Sequence, residues 1–260
     1  MVKVTESVKK GSKLSEYTVF PNAPITEALL DIRVELSKDV DLNKLASFHD
    51  FIKERFPEKQ ERVSFETAFQ LSAEGPTVLP SSKKPDGYLF RSPTEHKIVQ
   101  ARLDGFTFNK LRPYEKWESF CTESRELWNI YFKMANPIKI TRIALRYINR
   151  IDIPLPITDF KKYILTTPEL APKLPQALEH FFIQLVVPNP DVQAKAIITQ
   201  TMQKPINDKT LPLILDIDVF QEEVYMGNQT EIWDMFEKLH IFKNEIFFNS
   251  ITEKTKELFQ

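Results

Sequence analysis

The chain has 260 residues, 42% of them hydrophobic and 27% charged, which is an ordinary globular composition with ample length for a buried core. The formal net charge is -1, so the chain lacks the overall basic character that marks many nucleic-acid-binding proteins. One cysteine, Cys121, excludes an intramolecular disulfide and a cysteine zinc cluster, and five scattered glycines disfavour dinucleotide-binding Rossmann and P-loop sites.

The start of the chain is expected to be a flexible leader over residues 1–20. Residues 1–13 are polar and lysine-rich and lack the apolar centre of a signal peptide. No run of about 18 apolar residues occurs in the sequence. We therefore expect a cytoplasmic protein that does not engage a membrane.

The first half of the chain is predicted to begin with a strand over 28–36, where apolar residues alternate. Helical spacing of apolar residues predicts a helix over 42–56, with Asp41 as its N-cap. A loop over 74–86 and an Asp104-Gly105 hairpin separate the strands predicted at 63–71, 88–91, 97–103 and 106–111. A long amphipathic helix then follows Pro113 and ends at Asn136-Pro137.

The second half has a similar order of elements, with one strand fewer and no clear sequence repeat. A strand over 140–153 precedes a short helix at 159–165, strands at 177–187, 192–203 and 213–220, and a final helix from 230 with a second start near Ser250. Runs of consecutive strands argue against a doubly wound parallel sheet. We infer an α+β protein of two analogous lobes, 21–136 and 137–260, in one compact unit. Each lobe is expected to be an antiparallel sheet packed with a long helix.

The strand predicted over 140–153 carries three arginines on one face. Its odd-numbered residues are mostly apolar, whereas Arg142, Arg146 and Arg150 recur every fourth residue on the even face. Successive arginines would lie roughly 13 Å apart. Such a row could bind phosphates or carboxylates by bidentate hydrogen bonds, or it could pair with acids on neighbouring strands.

Two carboxylates, Asp216 and Asp218, share a face of the strand predicted over 213–220. Alternate strand positions lie roughly 7 Å apart, a spacing that could bind a divalent metal or support acid–base chemistry. No third acidic ligand is identifiable in the sequence. The alternatives are ion pairs with the arginine row across the sheet, or direct contacts to a ligand.

Other catalytic motifs are missing from the sequence. The four histidines, His49, His96, His180 and His240, have no HxxxH or HExxH spacing, and no GxSxG elbow occurs. Cys121 lies on the apolar stripe of its helix, which indicates an inert buried thiol. An alternative role for part of the aromatic content is a stacking platform for bases beside the arginines, formed by Phe69, Tyr88, Phe106, Phe108 and Tyr147.

Several short runs together resemble one protein family. They are Asn22-Ala23-Pro24-Ile25-Thr26-Glu27-Ala28, Leu145-Arg146-Tyr147-Ile148-Asn149-Arg150, Leu215-Asp216-Ile217-Asp218, Leu239-His240 and Ser250-Ile251-Thr252. In this order they resemble an uncharacterised, sporadically distributed prokaryotic family with an L-R-Y-x-N-R signature, over nearly the whole chain. The resemblance implies no established activity. Its patchy distribution is associated with accessory, mobile or defence-related genes.

Our leading hypothesis is a non-enzymatic binding protein that recognises an anionic ligand or a protein partner. The predicted ligand-binding residues are Arg142, Arg146, Tyr147, Asn149, Arg150, Asp216 and Asp218. Asn149 has the opposite parity to the arginines, so a bulge or frayed end would be needed to bring it beside them. No cofactor or resident metal is expected, and nucleic acid is not favoured as the partner. The alternatives are a metal-dependent enzyme acting on nucleotides or nucleic acid through Asp216 and Asp218, and a structural subunit of a larger assembly.

Overall fold

The fold was examined in a computed structural model that describes residues 17–66, 69–72, 75–78, 82–205, 208–226 and 229–260. The first half of the chain forms β1 (Ile25–Glu35), α1 (Leu42–Ala46), α2 (Phe48–Ile52), β2 (Glu58–Glu66), β3 (Phe69–Ser72), β4 (Gly75–Val78), β5 (Ser82–Ser92), β6 (Lys97–Arg102), β7 (Gly105–Leu111) and α3 (Trp117–Ala135). The second half forms β8 (Lys139–Pro154), one 3-10 turn (Phe160–Lys162), β9 (Phe182–Asn189), β10 (Ala194–Met202), β11 (Thr210–Gln221), α4 (Gln229–Ser250) and α5 (Glu253–Glu257).

A nine-stranded antiparallel sheet organises the molecule, in the order β2-β5-β6-β7-β1-β8-β11-β10-β9. In each half the last strand returns to pair with the first, β7 with β1 and β11 with β8. The two first strands, β1 and β8, pair with each other at the centre of the sheet. The α+β class is therefore confirmed. The sheet runs without a break across the predicted boundary between residues 136 and 137.

Helices cover one face of this sheet. The long helix α3 packs on β7, and α4 packs on β8 and β11. The two helices also meet each other, because the Trp117 indole donates to Glu237 Oε2 at 2.8 Å and stacks on the His240 ring. Alternate strand residues such as Leu30, Phe108 and Leu145 are completely buried beneath them. None of the helices in the described ranges is both long and apolar enough to cross a membrane.

Several predicted elements are found close to their expected places. The predicted strand over 140–153 is β8, and the long helix after Pro113 is α3. Asn136 closes α3 in the left-handed conformation, with its backbone N–H donating to the Phe132 carbonyl oxygen at 2.8 Å, and Pro137 follows. Asp41 caps α1 by accepting a hydrogen bond from the backbone N–H of Lys44 at 2.8 Å.

Other predicted elements differ in extent or kind. The helix predicted over 42–56 is two short helices divided at Ser47, whose hydroxyl donates to the Lys44 carbonyl oxygen. The helix predicted at 159–165 is a single 3-10 turn capped by Asp159. The loop predicted over 74–86 includes β4 and the start of β5. Helix α4 continues through Ser250, and Thr252 caps the separate helix α5.

The predicted leader falls partly outside the described residues, which begin at 17. Within it, Tyr17 stacks on Phe248 with ring centroids 4.7 Å apart, and Phe20 is buried between Phe248 and Phe259. The backbone N–H of Asn22 donates to the Phe259 carbonyl oxygen at 3.0 Å. Tyr17, Phe20 and Asn22 therefore contact the last turns of the chain, while Val19 between them is 81% exposed.

Gly87 permits the close approach of β5 to β6. A Cβ atom added at this position would lie 2.3 Å from the Ala101 carbonyl oxygen and 2.7 Å from the Arg102 Cα. Both are backbone atoms of the paired strand, so they cannot move aside like a flexible side chain.

We expect Gly87→Ala to lower the free energy of unfolding by about 1–3 kcal/mol. Urea denaturation measures this, with Lys84→Ala at an exposed site of the same strand as the control, for which a change within about 0.5 kcal/mol is expected. Equal stability of the two variants would contradict the steric explanation.

Candidate functional site

The face of the sheet opposite the helices holds a cleft of about 780 Å³. Strand alternation places the polar side chains of β1, β6, β7, β8 and β11 on this face. We call it the charged cleft, because its charged lining residues are Asp31, Arg33, Arg62, Arg102, Asp104, Arg142, Arg146, Asp218 and Glu222. Five arginines and four carboxylates therefore share one concave surface.

Asp31 lies at the centre of the arginines. It accepts hydrogen bonds from Arg102 Nη2 at 2.8 Å, from the Thr107 hydroxyl at 2.7 Å and from Arg33 Nε at 3.1 Å. Arg142 Nη1 lies 3.6 Å from Asp31 Oδ2, the oxygen that Arg33 also contacts. Burial alone would raise the pKa of Asp31, but Arg102 and Arg33 and the hydrogen bonds hold that pKa below its ordinary value. Asp31 is therefore an anion that binds two guanidinium groups by hydrogen bonds and lies close to a third.

Arg102 has a structural role in this network. Its side chain is only 4% exposed, and it donates to Asp104 Oδ1, to the Thr107 hydroxyl and to Asp31 Oδ1 from Nε, Nη1 and Nη2 respectively. A Cβ at Gly105 would lie 2.9 Å from Arg102 Nη2, so the glycine makes room for the guanidinium group. All three guanidinium nitrogens of Arg102 thus have protein partners.

Arg33 and Arg142 face each other directly across β1 and β8. Like charges in such a cross-strand pair destabilise a sheet unless other charges compensate them. Asp31 lies against both, and Arg142 Nη2 also donates to Asp218 Oδ2 at 3.3 Å. The Arg142 guanidinium carbon also lies over the Phe220 ring, 4.5 Å from its centroid, a favourable cation–π contact.

Arg146 and Asp216 form a two-point ion pair. Arg146 Nε lies 2.9 Å from Asp216 Oδ1, and Arg146 Nη2 donates to Oδ2. Asp218, beside this pair, is held less firmly as an anion. Its burial raises its pKa, the nearby Arg142 and Arg146 lower it, and repulsion from Asp216 and Asp31 raises it again, so the net shift is upward.

The predicted site residues divide between the two faces of the sheet. Arg142, Arg146 and Asp218 line the charged cleft, and Asp216 contacts it through Arg146. Arg150 lies on the same face of β8 but pairs with Asp152, Nε to Oδ1 3.0 Å, outside the cleft lining. Arg142 and Arg146 therefore form ion pairs and also line the cleft, so the ion-pair and the binding-surface interpretations concern the same two side chains.

Tyr147 and Asn149 do not join the arginines, which corrects the surface expected from the sequence. Both are buried under the helices, Tyr147 with its hydroxyl 2.9 Å from the Tyr114 hydroxyl and Asn149 donating to the Leu215 carbonyl oxygen at 3.0 Å. The register between β8 and β11 continues unshifted through Asn149. The irregularity between β1 and β8 at this point places its extra residue, Thr26, in β1, so the side chains of β8 keep their alternation.

The predicted aromatic platform is also on the other face. Phe106 and Phe108 are completely buried among α3 residues, and Tyr88 packs against the same core. The side chain of Phe69 lies outside the described residues. Within the described ranges, no three His, Cys, Asp or Glu side chains come together in an arrangement that could hold a metal ion. Asp216 and Asp218 instead contact Arg146 and Arg142.

Sequence reasoning did not assign Asp31, Arg33, Arg62, Arg102 and Asp104 to the site. Asp31 and Arg33 do alternate on the polar side of the first predicted strand. What the sequence lacks is a local signal that β1 pairs with β8 and thereby brings these residues beside Arg142.

A second group of titratable side chains is buried between α3, α4 and β8. The Lys243 amine lies 4.0 Å from the Tyr147 ring centroid, and burial lowers the pKa of Lys243 to about 7. Burial, with repulsion from Lys243, lowers the pKa of His240 to about 3. Burial likewise raises the pKa of the Cys121 thiol to about 11, as expected of an inert thiol.

The Arg146–Asp216 pair can be tested by a double-mutant cycle. We expect Arg146→Met and Asp216→Asn to show a coupling energy of about 1 kcal/mol in urea unfolding, since the pair is two-point but Arg146 is 46% exposed. The matched cycle uses Arg150→Met and Asp152→Asn on the same face of β8, and its coupling should be smaller because a single hydrogen bond joins a more exposed carboxylate. A coupling near zero for Arg146 and Asp216 would show that the pair adds nothing to stability.

Lys243 should make stability depend on pH. The folded state disfavours its ammonium form, so the resulting destabilisation is complete below about pH 7 and fades as pH rises toward the ordinary lysine value of 10.5. We expect Lys243→Met to be about 1–2 kcal/mol more stable at pH 7, since the contact with Tyr147 offsets part of the burial cost. Its stability should also change less between pH 7 and 9. Urea unfolding at these pH values, with exposed Lys238→Met on the same helix as the control, measures both effects. Destabilisation of Lys243→Met at pH 7 would mean that the buried ammonium is well stabilised.

No protein-family model matches the chain, and a search of curated proteins finds no match. Function must therefore be inferred from the geometry and charges of the cleft.

Proposed function

We propose that this protein is a non-enzymatic binding protein that holds an anionic ligand in the charged cleft. The observation that carries the proposal is the convergence of five arginine side chains from β1, β2, β6 and β8 on one concave surface. Arginine presents several N–H donors in a planar fork that matches the oxygens of phosphates and carboxylates.

Two of these arginines, Arg146 and Arg142, retain N–H hydrogen-bond donors for a ligand. Arg146 contacts Asp216 through Nε and Nη2, which leaves Nη1 without a partner among the described residues. Arg142 is held by Asp218 and Asp31 only at 3.3 and 3.6 Å, and its contact with the Phe220 ring holds the guanidinium group in the cleft. Arg102, by contrast, is fully engaged, so it supports the cleft and is not expected to contact the ligand.

Asp218 is the carboxylate that a ligand would most easily replace. Its pKa lies above its ordinary value, because burial and the neighbouring Asp216 and Asp31 disfavour its anionic form despite Arg142 and Arg146. A phosphate or carboxylate of the ligand would take over the Arg142 contact, while Asp218 moves away or takes up a proton. Binding is then an exchange of anions, which explains how a cleft of nearly balanced charge can prefer a negative ligand.

The size of the cleft favours a small molecule. Its volume of about 780 Å³ lies within the usual range for small-ligand sites, roughly 300–1,000 Å³. Its lining is strongly polar, which suits a metabolite that carries phosphate or carboxylate groups.

The proposal also covers how the chain is organised and which family it resembles. We take 21–136 and 137–260 as analogous lobes that meet at β1 and β8, with cleft residues from both. In the signature run, Arg146 lines the cleft while Tyr147 and Asn149 lie in the core. We also propose that the chain belongs to the sporadic prokaryotic family with the L-R-Y-x-N-R signature. A cytoplasmic location and a role in an accessory or defence-related system complete the proposal.

The experiment uses inorganic phosphate and pyrophosphate as probes in isothermal titration. Arg142→Gln and Arg146→Gln should each weaken pyrophosphate binding about tenfold or more, because each removes a charged donor from the cleft. Arg150→Gln is the matched control on the same strand face and should change the affinity less than about twofold. Native mass spectrometry of the protein from its own host then identifies any retained anion. Equal losses in all three variants, or a host-purified chain that carries no added mass and binds neither probe, would contradict the proposal.

A further inference from the structure

The strand β9 forms one end of the sheet and is exposed on both faces. It pairs with β10 on one side, and no strand in the described ranges pairs with its other side. Phe182 and Val186 are each 63% exposed on the face of the charged cleft, and Leu185 is 41% exposed on the opposite face. A strand edge of this kind carries unpaired backbone donors and acceptors and readily accepts another strand.

The two ends of the sheet differ in charge. The other end strand, β2, presents Glu58, Lys59, Glu61 and Arg62, and charged side chains are a common protection of strand edges. In β9, Phe182–Asn189, the sequence FIQLVVPN contains no charged residue. Two copies of β9 can therefore approach each other without like-charge repulsion, whereas two copies of β2 cannot bury their edges as easily.

We propose that β9 is a dimer interface, at which it pairs in antiparallel fashion with β9 of a second copy of this chain. In an antiparallel pair, facing residues lie on the same side of the sheet. Placing the two-fold axis at Gln184 sets Phe182 against Val186 of the other copy and Ile183 against Leu185 of the other copy. Phe182, Leu185 and Val186 then each meet an apolar partner, and an aromatic–β-branched pair such as Phe182 with Val186 stabilises a sheet.

Pro188 favours this register over its neighbours. Proline has no backbone N–H and cannot donate to a strand ladder. With the axis at Gln184, the paired segment is 182–186 and Pro188 lies beyond it. An axis at Leu185 or Val186 would bring Pro188 into the pairing. The short segment buries less than a typical specific interface, so we expect a dissociation constant of about 1–100 µM.

The first test measures self-association of the full chain by sedimentation equilibrium. Val186→Lys places a charge at the interface and should weaken the dimer about tenfold or more, while its 63% exposure preserves the fold. The matched control is Val224→Lys, at a 56% exposed valine outside β9, which should leave the dimer unchanged. A chain that stays monomeric overturns the proposal, even if another protein binds β9. A dimer that survives Val186→Lys overturns it equally.

The second test locates the axis by cross-linking. In the proposed register Gln184 faces its own copy, with Cα atoms about 4.5–5.5 Å apart, within the range that a disulfide spans. Gln184→Cys should therefore form a covalent dimer under mild oxidation. Gln203→Cys, at an exposed position directly after β10, should not. Cys121 is buried with a raised pKa and should not compete. Equal cross-linking at both positions would overturn the register.

Discussion

The antiparallel pairing of β1 with β8 is the interaction on which the rest of the molecule depends. It joins the two halves of the chain into one sheet, and its register places Leu30 beside Leu145 in the core on one side. On the other side the same register sets Arg33 directly against Arg142, a contact that repels unless it is neutralised. Asp31 supplies that neutralisation, and it does so while also binding Arg102. The packing of the core and the charges of the cleft are thus consequences of one strand pairing.

The sheet separates an apolar, helix-covered face from a charged face. The helix-covered face holds aromatic and aliphatic side chains together with the buried Tyr147 and Lys243, whose surroundings exclude water. The guanidinium groups on the opposite face differ in how many hydrogen bonds they make. Every guanidinium nitrogen of Arg102 is hydrogen-bonded, whereas Arg146 is half-exposed and has a nitrogen left over. Exposed ion pairs contribute little to stability, about 0–1 kcal/mol each, so much of this charge can serve recognition without a large cost to the fold.

Local patterns in the sequence predicted most of the strands and the long helices. Period-two alternation located β8 and β11, and apolar helical spacing with Asn136-Pro137 located α3. The parity of β8 also placed Arg142 and Arg146 on one face, and Asn149 away from it.

The remaining cleft residues depend on contacts between distant segments. Arg33 and Arg102 belong to the cleft only because β1, β6 and β7 lie beside β8, and no local pattern encodes that order. The 3-10 turn at Phe160–Lys162 shows the same limit, since a short apolar run does not decide between one turn and a helix.

The central strand pair also has a consequence for how the chain folds. Hairpins such as β6–β7 and β10–β11 join neighbouring segments and can form early, whereas β1 and β8 are separated by the whole first half of the chain. Closing such a long loop carries an entropy cost that is recovered only when the strands meet, so pairings of this kind form slowly. The cleft contains residues from both sides of this pair, so it is complete only once β1 and β8 have paired. A ligand that binds there stabilises the completed sheet alone, and it would draw partly folded chains toward the native state.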